Sequence, residues 1–132
     1  MSFMARQFPI KKFVRQVLGC TCPDKVFEQI EDKHVASAVS PHTRVITIGG
    51  RLLIYIWEVN EPGQFKENFP AMLAAGQKER DERGLNRFRA VLATDKINQN
   101  IVAEAALYFS QFAGRDDRMH FHVVPQNALA DI

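Results

Sequence analysis

The stretch Leu52-Leu53-Ile54-Tyr55-Ile56-Trp57 most limits the folds open to this chain, because it places six large apolar or aromatic residues in a row just after Gly49-Gly50. A strand with one wet face alternates apolar and polar side chains, so an unbroken run belongs to a strand covered on both faces, near the middle of a sheet. Two adjacent glycines supply the positive φ angles of a tight hairpin, which makes residues 44–48 the antiparallel partner of residues 52–59.

The flanking patterns extend this core. Ile10, Phe13, Val14, Val17 and Leu18 recur at i, i+3, i+4, i+7 and i+8, one stripe of a helix over residues 9–18 that Gly19 can end. Val26, Phe27 and Ile30 predict a second helix, opened by Pro23 and fading near Asp32. Residues 35–39 read as a weak strand, with a turn at Pro41-His42-Thr43 and another at Asn60-Glu61-Pro62-Gly63. Phe65, Phe69, Met72 and Leu73 predict a helix whose regular part starts near Phe69 because of Pro70. It runs into a solvated charged turn over residues 78–83 and stops at Gly84. Residues 87–94 alternate as a strand. Ile97, Ile101, Ala105, Tyr108, Phe109 and Phe112 mark the last long helix, and residues 118–124 a final strand closed by Pro125. The predicted fold class is α/β (α+β mixed), one domain over residues 1–132. Two N-terminal helices precede a three-stranded antiparallel meander and then α-β-α-β, which together make a mixed five-stranded sheet flanked by helices.

Composition narrows the function classes. With 132 residues, 46% hydrophobic and 24% charged, the chain is long enough for one sizeable core. A net charge of +2 is too small to argue for nucleic acid or an anionic membrane, and no apolar run is long enough to span a bilayer. The expected setting is cytoplasmic. Two cysteines one residue apart are not a secreted disulfide framework.

Those cysteines carry the main chemical reading. In Gly19-Cys20-Thr21-Cys22-Pro23-Asp24, Pro23 at the first helical position would leave Cys22 as N-cap, facing unpaired N–H groups and the positive helix end. Cys22 is then the expected reactive thiolate and Cys20 its resolving partner, in redox or sulfur chemistry with a protein or small thiol. His120 and His122 share one face of a strand, so Cys20, Cys22, His120 and His122 form an alternative two-sulfur, two-nitrogen set for zinc, although the leading reading needs no cofactor. Arg87 and Arg89 share a strand face and with Arg83 could form a patch for phosphate or an acidic protein, but pairing with Glu79, Asp81 and Glu82 is the expected arrangement. A third reading is a non-catalytic interaction domain with inert cysteines, dimerising through an exposed edge at residues 35–39. His34 and His42 are expected to be exposed turn residues.

Three resemblances accompany these readings. The stretch Gly19-Cys20-Thr21-Cys22-Pro23-Asp24-Lys25-Val26-Phe27 resembles a cysteine motif of a small uncharacterised prokaryotic family, and this resemblance implies no activity. The Cys22-Pro23 pair is similar to that of sulfur-carrier proteins, with Lys25 where those have a second proline. The run His120-Phe121-His122-Val123-Val124-Pro125 resembles part of the histidine-triad signature of nucleotide hydrolases and transferases, with Arg118 in place of the first histidine. That resemblance implies His120 as nucleophile.

Overall fold

In the computed structural model, which describes residues 9–19, 24–35, 41–59, 65–97, 99–130 and 132, the Leu52-to-Trp57 run is the middle of a five-stranded sheet. The strands β1 (Ile30–His34), β2 (Arg44–Ile48), β3 (Leu52–Glu58), β4 (Arg87–Ala93) and β5 (Met119–Val124) lie side by side in chain order. The first three are antiparallel, and β4 and β5 then add in parallel. A short helix α1, residues 9–17, precedes the sheet, and its last five residues, Phe13–Val17, are π-helical. The parallel connections are α2 (Phe65–Glu82) and α3 (Gln99–Ala113).

Both faces of β3 are covered, as its sequence requires. Leu52, Ile54 and Ile56 pack with Ile10, Phe13, Val14 and Leu18 of the α1 region and with Leu129 of a short C-terminal turn, Gln126–Leu129. Leu53, Tyr55 and Trp57 pack with Phe69, Met72 and Leu73 of α2 and Ala105 of α3. The parallel strands step in one direction, so crossovers of the usual right hand place both helices on the same face. Gly49 and Gly50 make the β2–β3 turn with φ of 60° and 66°, closed by the Arg51 N–H donating to the Ile48 carbonyl at 3.0 Å.

The N-terminal third departs from the expected order. The second helix is only a 3-10 turn, Asp24–Glu28, and the chain enters β1 at Ile30. The first strand therefore lies five residues earlier than residues 35–39. Of that predicted strand, Val35 follows β1 and donates its N–H to the Thr43 carbonyl at 2.9 Å, while residues 36–39 lie outside the described residues. The period of two was hidden because an inward position of β1 is charged. Asp32 accepts from Arg44 Nε and Nη2 at 2.8 and 2.6 Å, and Arg44 Nη2 also donates to the Ile132 carbonyl.

Three smaller differences concern the later helices. α2 already starts at Phe65 and carries Pro70 inside its second turn, where a missing N–H forfeits one intrahelical bond. The end of α2 behaves as expected at Gly84, φ 66°, with the Leu85 N–H reaching the Arg80 carbonyl. Arg80, however, is not part of a solvated turn. It is buried and pairs with Asp116 at 2.8 Å and Asp81 at 3.0 Å. Ile97 is exposed and precedes α3.

Candidate functional site

Parallel pairing of β4 and β5 sets Arg89 beside His120 and Val91 beside His122. Alternation along both strands then turns Arg87, Arg89, His120 and His122 toward the face that α1 covers, opposite Phe88, Ala90, Met119 and Phe121. The result is two guanidinium–imidazole pairs. Arg87 Nη1 lies 2.9 Å from His120 Nε2, and Arg89 Nη1 lies 2.9 Å from His122 Nε2. A guanidinium only donates, so each Nε2 must present its lone pair, and each neutral ring carries its proton on Nδ1.

The electrostatics agree with neutral rings. Burial, then the charge of Arg89 and the neighbouring His120, pull His122 down to about 4. Burial, Arg89 and Arg87 also lower His120, against the opposing pull of Asp117 and Asp116. Arg89 is itself depressed by burial and by Arg87. The expected pairing of these arginines with α2 carboxylates holds for Arg83, which reaches Glu79 at 2.6 Å, and fails for Arg87 and Arg89. Strand alternation sends the latter two to the other face of the sheet. Among the described residues neither forms an ion pair.

Arg89 also reaches the end of α1. Its Nη1 donates to the Leu18 carbonyl at 3.0 Å, one of the carbonyls that a helix terminus leaves without an intrahelical partner. Gly19 follows with φ 72°, the helix stop expected from the sequence. Arg89 is 9% exposed, and its Nε is buried with no hydrogen-bond partner among the described residues.

Cys20 and Cys22 lie outside the described residues. The residues around them change the basis of their expected reactivity. A five-residue 3-10 turn, Asp24–Glu28, replaces the regular helix whose dipole was to act on Cys22, so little macrodipole is available there. The Arg89–Leu18 bond instead anchors the chain two residues before Cys20 beside a cationic cluster. For the zinc set, His120 and His122 do share a face, but both Nε2 lone pairs point at guanidinium donors. A zinc ion taking those nitrogens would displace the guanidiniums. The same bond occupies Nε2 of His120, one of the two nitrogens a nucleophile would use.

A second polar group, on the α2 face, was not legible in the sequence. His42 is buried rather than exposed, and its ring stacks on Tyr55 at 3.8 Å between centroids. Tyr55 donates its hydroxyl to Glu79 at 2.5 Å, and Arg83 Nη1 bonds Glu79 and Thr47 Oγ1. Burial and the Glu79 carboxylate raise the Tyr55 phenol. Here the charges are balanced between Glu79 and Arg83, whereas the β4–β5 cluster carries two cations and no anion. No helix among the described residues is long and apolar enough to cross a membrane. Comparison of the chain with protein-family models, with curated proteins and with solved structures found no match.

Proposed function

We propose that this chain is a thiol protein in which Cys20 and Cys22 carry redox or sulfur chemistry, with Arg87 and Arg89 supplying the positive field that a thiolate needs. The observation behind this reading is the bond from Arg89 to the Leu18 carbonyl. Covalent geometry keeps the Cα of Cys20 within about 7 Å of that of Leu18. At about 8 to 10 Å, a separation that chain reach from Leu18 permits, a guanidinium would stabilise a thiolate by about 2 kcal/mol at an effective dielectric near 20. That would exceed the roughly 0.3 to 1 kcal/mol of an exposed helix end. In the exchange, the thiolate of one cysteine attacks a partner disulfide and releases one partner thiolate. The other cysteine then displaces the second partner sulfur, leaving a Cys20–Cys22 disulfide and a partner reduced by two electrons.

The other readings have less behind them. Zinc at Cys20, Cys22, His120 and His122 would have to displace a guanidinium from Nε2 or the proton from Nδ1 of each ring, and dimerisation through the first strand meets an edge bearing Glu31, Asp32, Lys33 and His34, a charge pattern that discourages pairing. The test is alkylation of the Cys20→Ser and Cys22→Ser variants across pH, each with and without Arg89→Met. At least one thiol should titrate below the ordinary value of about 8.5 and rise by about 1 when Arg89 is replaced. Ordinary thiol titration in every folded variant would refute the reading.

A further inference from the structure

We propose that Arg87, Arg89, His120 and His122 form a binding site for an oxyanion of phosphate or sulfate type. The hydrogen-bonding capacity of the cluster is one-sided. Both imidazole lone pairs at Nε2 are consumed by the arginines, Arg87 Nη1 also donates to the Asp117 carbonyl at 3.4 Å and Arg89 Nη1 to that of Leu18, and what remains is Nδ1–H on each ring together with unused guanidinium N–H groups. Donors without acceptors suit a ligand that only accepts, and no carboxylate among the described residues forms an ion pair with either guanidinium, although Asp116 and Asp117 act on His120 through their charge.

Arg89 supplies the second observation. Capping of α1 accounts for its Nη1, which Leu18 and His122 share, but leaves its buried Nε without an acceptor. An unmade bond on a buried charged donor is costly, and a bound anion oxygen would remove that cost. Arg87 stands one strand pleat away on the same face and is exposed, so the cluster has a buried end and an open end. Two guanidiniums and two ring N–H groups offer more donors than the two oxygens of a carboxylate can satisfy. A tetrahedral oxyanion, with three or four acceptor oxygens, fits the donor set better. The inference stands on these four side chains and does not need the cysteines to be reactive.

The test follows the ring nitrogens of His120 and His122 by NMR in the full chain during titration with sodium phosphate, sodium sulfate or sodium acetate at constant ionic strength. Phosphate and sulfate should give saturable shifts of both rings, with acetate weaker by about fivefold or more. Arg89→Met should weaken phosphate binding about tenfold or more. Lys78→Met, which removes an exposed charge on α2, should leave it unchanged. If Arg89→Met does not fold, Arg87→Met takes its place with loss in the same direction. The Cys20→Ser/Cys22→Ser double variant should bind phosphate as the natural chain does, which separates this site from the thiol reading. Any of three results would overturn the proposal: no saturable shift in the folded protein, equal losses from Lys78→Met and Arg89→Met, or acetate binding as tightly as phosphate.

Discussion

Gly76, in the middle of α2, lets a single methyl group test how that helix packs on β4. A Cβ at this position would lie 2.1, 2.3 and 2.4 Å from Cζ, Cε1 and Cε2 of Phe88. Contacting carbons prefer about 3.5 to 4.0 Å, so ring or helix would have to retreat by more than 1 Å. Phe88 cannot easily turn away. Its ring is fully buried and meets Tyr55 edge-on, with centroids 5.1 Å apart. In an open helix interior, Gly→Ala stabilises by about 1 kcal/mol. Overpacking costs about 1 to 3 kcal/mol and more for severe overlap, so Gly76→Ala should lose about 2 kcal/mol net. Phe88→Leu removes the three clashing ring atoms at its own cavity cost. In that background Gly76→Ala should be neutral or stabilising by up to about 1 kcal/mol, a coupling of about 2 to 3 kcal/mol. Urea unfolding of the four proteins at constant m measures this cycle. A stabilising Gly76→Ala in the natural background, or the same loss in both backgrounds, would refute the packing described here.

Two further predictions concern charge. His122 titrates near 4 in the folded protein against an ordinary 6.5, so the stability linked to it is complete above about 6.5 and is lost as pH falls toward 4. Because solvent reaches part of the ring, the linkage should amount to roughly 1 to 2 kcal/mol. It should appear as that change in the difference between the natural chain and His122→Gln from pH 7 to 4.5, and parallel pH curves would contradict a neutral His122. In the buried Asp32–Arg44 pair, with side chains 8% and 9% exposed, Asp32→Ala should cost about 3 to 5 kcal/mol because Arg44 keeps its charge. The double variant Asp32→Leu/Arg44→Met should recover at least half of that in urea unfolding, and losses that simply add would exclude the coupling.

Local patterns carried much of the fold. The six-residue run before Glu58 read as a strand buried on both faces, and Gly49-Gly50 as a tight turn, because both follow from backbone geometry and solvation at neighbouring positions. The stripe of α3 and the alternation of β4 and β5 were legible for the same reason. The first strand was not. Asp32 faces inward and is neutralised by Arg44 on the adjacent strand, so a charged residue occupies a position where alternation calls for an apolar one. His42 and Arg80 misled in the same way, because their burial depends on Tyr55 and Asp116, both distant in sequence.

For the candidate site, the division follows the range of the interactions. The sequence by itself determined that Arg87 and Arg89 share a face, that His120 and His122 share a face, and that α1 stops at Gly19. Each of these is a matter of period two or of one residue's allowed φ. The β-α-β order also predicted that β4 and β5 lie in parallel, but only the tertiary structure decided the register that sets Arg89 beside His120, and that the Leu18 carbonyl meets Arg89. Register and helix docking arise from the summed packing of both sheet faces, a long-range balance that no local pattern encodes. That balance turned two residue pairs, each unremarkable alone, into a half-buried cluster of cations and neutral imidazoles whose guanidiniums form no ion pair among the described residues.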